Sequence, residues 1–188
     1  ILIDENGELI AKGVVEYPLY TPRPNWAEQD PADWWQGTQQ AIKKTLDSVS
    51  IDRKAIVGIG LTGQMHGSVF LNNKGEVIRP AILWCDQRTA QECEEITQIV
   101  GREKMMRING NPVLAGFTAP KIYWLKNNEP DHYKLIDKIL LPKDYIRFCL
   151  TGEFATDVSD ASGTSLFDVP RRQWSDEIIS DLKLNRNW

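Results

Sequence analysis

The sequence predicts an α/β domain whose mixed sheet carries antiparallel hairpins and is flanked by helices. Three observations lead there. Asn6-Gly7 separates two short apolar runs, and a similar unit recurs at Asn72 to Gly75, which is hairpin chemistry. Ala55 to Leu61 is a continuous apolar run of strand length, as expected of a strand covered on both faces. Between these units lie segments with apolar residues at helical spacing.

In order, Ile1 to Asp4 and Glu8 to Ala11 read as the first two strands. Asp30-Pro31-Ala32-Asp33 reads as an N-cap, a proline at the first helical position and a first-turn carboxylate. The helix it opens runs from about Pro31 to Ser48, with Trp34, Trp35, Thr38, Ala41, Ile42, Leu46 and Val49 forming one apolar face. The strand Ala55 to Leu61 follows, and then a second hairpin from Ser68 to Arg79. Ala81 to Trp84 is a further strand. Thr89 to Val100 reads as a helix stopped by Gly101, and Asn109 to Pro112 as a loop. Thr118 to Asn127 reads as a helix capped by Thr118, Lys138 to Leu141 as a short strand, and Pro142 to Leu150 as a helix closed by Gly152. Residues from Thr156 onward mix Asp, Ser and Gly with short apolar pieces and give no domain boundary.

Composition restricts what such a domain does. At 188 residues, 41% hydrophobic and 26% charged, the chain can bury a substantial core. A net charge of −4 without a basic stripe argues against nucleic acid or an anionic membrane as partner. Cys85, Cys93 and Cys149 are odd in number and lack metal-site spacing, which favours a reducing cytoplasm. No apolar run approaches the ~20 residues of a membrane-spanning helix.

The chemistry-bearing residues gather at two strand ends. Gln64-Met65-His66, flanked by Gly63 and Gly67, follows the Ala55 to Leu61 strand, and Cys85-Asp86-Gln87-Arg88 follows Trp84. In open α/β sheets ligands bind at the carboxyl ends of strands, and glycines there admit a small molecule close to the backbone. Amide, imidazole, carboxylate and guanidinium groups beside an aromatic face suit a polyol or sugar. Plainer readings stand beside this one: a glycine-flanked turn with an incidental histidine, and a solvated Asp86–Arg88 salt bridge at a helix start. His132 reads as a surface loop residue. The chain has no G-x-x-x-x-G-K-[ST] loop, no G-x-G-x-x-G and no G-x-S-x-G elbow.

Gly60 to Gly67, followed by Arg79 to Thr89, closely resembles the FGGY family of carbohydrate kinases. Gly116-Phe117-Thr118-Ala119-Pro120-Lys121-Ile122-Tyr123-Trp124-Leu125-Lys126-Asn127-Asn128 fits that family's first signature. Leu141 to Tyr145, Leu150 to Asp157 and Ser159 to Thr164 resemble it as well, as does Trp26 to Pro31. The resemblance covers essentially the whole chain. The Gln-Met-His-Gly turn narrows it toward pentulose kinases, although gluconate kinases of the family also carry a Met-His pair.

The resemblance implies a ribonuclease-H-like, actin-like pair of domains with sugar and nucleotide in the cleft between them. Residues 1–188 would form most of the first, sugar-binding domain. The implied reaction is transfer of the ATP γ-phosphoryl group, with Mg²⁺, to the 5-hydroxyl of D-xylulose, as in xylose catabolism, in a cytoplasmic enzyme that the resemblance implies to be a homodimer. Met65 and His66 would line the sugar site, with Gln64 and Asp86 as weaker candidates for polar contacts. The family's opening strand and its phosphate loop are expected before Ile1. The catalytic aspartate and the nucleotide-binding domain are expected after Trp188. The fragment alone is then expected to bind neither ATP nor Mg²⁺, to be inactive, and to leave two inner sheet edges unpaired. Other readings are a kinase for gluconate or ribulose, and a non-catalytic actin-like module for sugar binding or dimerisation.

Overall fold

The computed structural model describes residues 1–188. Strands β1 (Leu2–Ile3) and β2 (Leu9–Ala11) form the first expected hairpin, with Gly7 at φ +83°, a conformation glycine adopts without steric cost. A strand absent from the sequence reading, β3 (Glu28–Gln29), precedes helix α1 (Pro31–Asp47). The α1 start follows expectation: Asp30 accepts from the Ala32 N–H, and Pro31 occupies the first turn. Its buried face is Pro31, Trp34, Gly37 and Thr45, while Ile42 is exposed. The apolar stripe is therefore narrower than the one expected, because Ile42 falls to the side of the i, i+3, i+7 row.

The largest departure is at Ala55 to Leu61. A 3₁₀ turn (Arg53–Ala55) is followed by an unpaired stretch that runs on to Gly67, and Val57 is 101% and Ile59 67% exposed. The run is apolar as a buried strand requires, but its backbone finds no partner within residues 1–188. A strand forms only when its N–H and C=O groups are paired.

The chain continues with β4 (Val69–Leu71), β5 (Ala81–Ile82), α2 (Ala90–Val100), α3 (Arg102–Asn109), α4 (Thr118–Asn128) and α5 (Pro130–Leu135). The second hairpin turn forms, with Ile78 N–H donating to Phe70 O, but the ladder of β4 lies on β6 (Lys138–Leu140). Strand β5 pairs with β3. Thr118 does not cap α4: the cap position is Phe117, and no side chain caps that end. Pro130 opens α5, since a proline at the first helical position lacks only an N–H that would be unpaired anyway. After β6 come α6 (Pro142–Thr151), closed by Gly152 at φ +75°, then α7 (Val158–Ser162), β7 (Phe167–Asp168), β8 (Gln173–Trp174) and α8 (Asp176–Asp181).

The fold is α/β as expected, but its strands pair as four two-stranded antiparallel ladders, β1-β2, β3-β5, β4-β6 and β7-β8, rather than one continuous mixed sheet. Three apolar clusters hold it. Val69, Leu71, Ala81 and Leu140 pack with Trp34 and Tyr145 under α1 and α6. Phe70, Ile82, Ile122 and Leu125 join the opposite face of β4 and β5 to α4. Ile96, Met105, Ala119, Ile178 and Leu182 bind α2, α3, α4 and α8 together. Successive residues of β4 point to opposite clusters, and all three are fully buried. No helix is long and apolar enough to cross a membrane.

Candidate functional site

The segment entering β4 makes an unusual turn. The Gly67 N–H donates to Met65 O at 2.7 Å, and His66, between them, has φ +62°. A three-residue turn closed by such a bond with positive φ at its centre is the classic γ-turn, which is rare and strained. Strain of this kind costs about 1–3 kcal/mol and persists only where the surroundings fix it. Gly67 permits the turn's approach to α6: a Cβ there would lie 2.6 Å from Pro142 Cγ.

The surroundings do fix it. Thr118 Oγ1 lies 3.4 Å and Lys121 Nζ 2.7 Å from His66 O, so the start of α4 holds the carbonyl of the turn. Lys121 Nζ also donates to Gly116 O at 2.7 Å, and Gly116 packs so tightly on the Trp84 carbonyl that a Cβ would sit 2.6 Å from it. The imidazole of His66 lies 4.5 Å from the Phe117 ring, centroid to centroid, and rests against Gly163. The two segments singled out by sequence, 64–66 and 84–88, are thus brought together through α4, with Met65 and Trp84 both about half exposed beside them.

Burial lowers the His66 pKa from its ordinary 6.5, and the Lys121 charge adds to this, while the Gly163 backbone and Asp160 act the other way. The ring is therefore neutral at pH 7, with one donor and one acceptor nitrogen, which suits a hydroxyl partner. Its Nδ1 is buried against Gly163 without a well-aligned partner. Gln64 is half-buried and donates from Nε2 to Gln29 Oε1 at 2.8 Å, the oxygen that also receives Trp34 Nε1, so its own Oε1 stays uncommitted.

Asp86 has a different duty. It is fully buried, and its two oxygens accept four bonds: Arg88 N and Nε at 2.9 Å each, Arg88 Nη2 at 2.7 Å and Ala27 N at 2.6 Å. Four acceptances fill a carboxylate's capacity, so no lone pair is left for a ligand. Nor is the Asp86–Arg88 pair solvated. Arg88 also faces Glu28 at 2.8 Å, Glu28 pairs with Arg79 at 2.5 Å, and the Arg88 guanidinium stacks 3.7 Å from the Trp26 ring. This network ties β3 to the end of β5.

Three contributors received no role from the sequence, although each lies in a stretch that resembles the family. Lys121 is the one charged residue in the buried first two turns of α4. Gly163 lies in the Ser159 to Thr164 stretch, but its closeness to His66 is set by tertiary packing. Lys143 binds Asp144 at 2.7 Å and Asp157 and Asp160 at 2.8 Å each, and its Cβ lies 3.2 Å from where a Cβ on Gly63 would be. Burial opposes its charge, but the three carboxylates outweigh this and raise its pKa. His132 pairs with Glu129 on the surface, apart from the site. An open hollow of about 340 Å³ includes Gln64, Thr62, Thr38 and Lys143, and so borders the turn. A cavity of about 210 Å³ under β6, lined by Ile122, Ile139, Leu166 and Trp188, contains none of Gln64, Met65, His66 or Asp86.

The family model for the N-terminal domain of the FGGY family of carbohydrate kinases matches residues 1–188. Xylulose kinase of Escherichia coli K12 is 44% identical over 187 residues, covering 100% of this chain and 38% of that enzyme. A crystal structure of a xyloylose kinase from Brucella ovis superposes with a TM-score of 0.91 at 42% identity, covering 98% of this chain and 38% of that one. The gluconate kinase of Lactobacillus acidophilus superposes with a TM-score of 0.90 at 26% identity, covering 98% of this chain and 37% of that one. The chain spans a little over a third of the length of the relatives it matches.

Proposed function

The chain belongs to the FGGY family of carbohydrate kinases, and from that premise we propose that it is the sugar-binding domain of a kinase that phosphorylates the 5-hydroxyl of D-xylulose with ATP. The observation that carries the proposal is the γ-turn at residues 65–67, which holds a neutral imidazole and a half-exposed thioether. His66 hydrogen-bonds a sugar hydroxyl, Met65 packs on the carbon chain, and Gln64 offers its free amide oxygen. The identity to xylulose kinases over the whole chain supports the choice of sugar.

Phosphoryl transfer depends chiefly on positioning and charge stabilisation. Within that reaction residues 1–188 bind and orient the acceptor. Holding the nucleotide, and accepting the hydroxyl proton, fall in this proposal to a second domain. Three unpaired cysteines fit a cytoplasmic setting, where ATP is available.

The test is a sugar panel of D-xylulose, D-ribulose, gluconate and glycerol presented with ATP to the native polypeptide that contains residues 1–188, with His66→Ala alongside. D-Xylulose is expected to be the preferred acceptor, with kcat/KM falling about tenfold or more in His66→Ala, the scale of one lost hydrogen bond. Preference for gluconate would keep the kinase and replace the sugar, whereas no turnover of any sugar would defeat the reading.

A further inference from the structure

We propose that Lys121 is a positioning residue for the sugar site, acting through the carbonyl of His66 to hold the strained γ-turn that aims the imidazole. The proposal rests on the sugar-site reading above.

Lys121 is fully buried, within the stretch Thr118 to Leu125 in which every residue of α4 is buried, and no carboxylate oxygen lies within 4.0 Å of its Nζ. Asp86 and Cys85 lie near enough to favour its charge and Arg88 to oppose it, but burial dominates and lowers its pKa to about 7. A buried ammonium without a counter-ion is costly, and a methionine or leucine would fill the same volume without that cost. Something must offset the difference. Both hydrogen bonds of Nζ go to carbonyls whose own chain neighbours cannot satisfy them: His66 O, at the centre of the γ-turn, and Gly116 O, in the loop that packs on the Trp84 carbonyl. One side chain thus fixes the distance between the His66 turn and the Trp84 strand end. His66 has left-handed φ without being glycine, so its turn relaxes once that hold is removed. Neutral or charged, the amine keeps at least two N–H donors, so the clamp survives deprotonation.

The experiment is a double-mutant cycle in the native polypeptide: wild type, Lys121→Met, His66→Ala and the double variant, with D-xylulose as the probe. Lys121→Met keeps the stem volume and removes both donors. It is expected to raise KM for the sugar more than tenfold while kcat stays within about threefold, the signature of lost ground-state and transition-state binding alike. In the His66→Ala background the same substitution should change KM less than twofold, because the residue it positions is gone. A purely structural lysine would instead give multiplicative losses, and that result overturns the proposal. A readout independent of turnover is the set of nuclear Overhauser contacts from the His66 ring Hε1 to Gly163 and to Phe117, assigned by comparison with His66→Gln. These contacts should vanish in Lys121→Met, and their survival also overturns the proposal. Loss of the contacts with KM unchanged would uphold the positioning role and sink the sugar-site reading instead. Should Lys121→Met fail to fold, Lys121→Leu, which likewise removes both donors to His66 O and Gly116 O, takes its place on both readouts, and wild-type KM and contacts in that variant would refute the clamp.

Discussion

Adding a single methyl group at Gly163 is expected to disable the His66 site while leaving the fold almost untouched. A Cβ at this position would lie 2.3 Å from His66 Cε1 and 2.5 Å from Nδ1, against about 3.4 Å for ordinary contact, so the imidazole must retreat by about 1 Å. The ring cannot do so freely, because its Cα sits in the γ-turn and its face lies 4.5 Å from Phe117. Gly163 has φ −82° and ψ 5°, a conformation alanine adopts readily. Overpacking costs about 1–3 kcal/mol, and the less flexible unfolded chain returns about 0.4–1 kcal/mol. The net loss of stability is then about 1–2 kcal/mol, which in a chain of this size lowers Tm by about 2–8 °C. Function should suffer more, since a 1 Å misplacement of a positioned group can cost about a hundredfold. The assay is kcat/KM for D-xylulose in Gly163→Ala beside Gly152→Ala. In the control, φ is +75° and no atom lies within 4 Å of the added Cβ, so stability falls by about 1 kcal/mol and sugar kinetics stay unchanged. Wild-type kinetics in Gly163→Ala would refute the reasoning, because His66 would then not need the place the structure gives it.

Asp86→Asn converts two of four acceptances into a donor clash and leaves Arg88, with a side chain 1% exposed, short of half its partners. It should destabilise the fold by about 3 kcal/mol in urea unfolding, and a loss under about 1 kcal/mol would mean that the network is not structural. Stability should rise with pH between about 7 and 9. Lys121 binds its proton less readily when folded (pKa about 7) than when unfolded (10.5), so the unfolded state carries the excess proton in that window and alkali removes its advantage. The slope is at most about 1.4 kcal/mol per pH unit. His66, lowered from 6.5, adds a rise of the same sign below that value, and burial of Cys93, whose pKa is raised to about 11, offsets the rise above pH 9. Thermal midpoints at pH 6, 7, 8 and 9 read the effect, which should largely vanish above pH 7 in Lys121→Met.

Local chemistry made several elements legible in the sequence. Asp30-Pro31 starts α1, Gly152 ends α6, and Asn6-Gly7 turns the first hairpin because each residue meets a backbone requirement set by its own neighbours. Gln64, Met65 and His66 were likewise recognisable as a polar turn after an apolar run. The apolar run itself was read correctly for composition and wrongly for state, since whether Ala55 to Leu61 is a strand depends on a partner that no local pattern reveals. Helices α3 and α5 were missed for a related reason: α3 follows directly on Gly101, and α5 is shorter than two turns, so neither offers a long periodic stretch.

What the sequence determined by itself was therefore the α/β class, the family resemblance and the presence of a polar turn at Gln64, Met65 and His66. Only the tertiary structure decided which side chains are free to act there. Asp86 and His66 look equally available in one dimension, yet four hydrogen bonds consume the carboxylate, while burial against Gly163 and the hold of Lys121 leave the imidazole neutral and aimed. Arg88, two residues along, supplies three of the four bonds to Asp86, but Ala27 reaches Asp86, and Lys121 and Gly163 reach His66, across some 55 to 97 residues of chain. Desolvation and the final saturation of a buried group are properties of the packed environment, which no local pattern reveals.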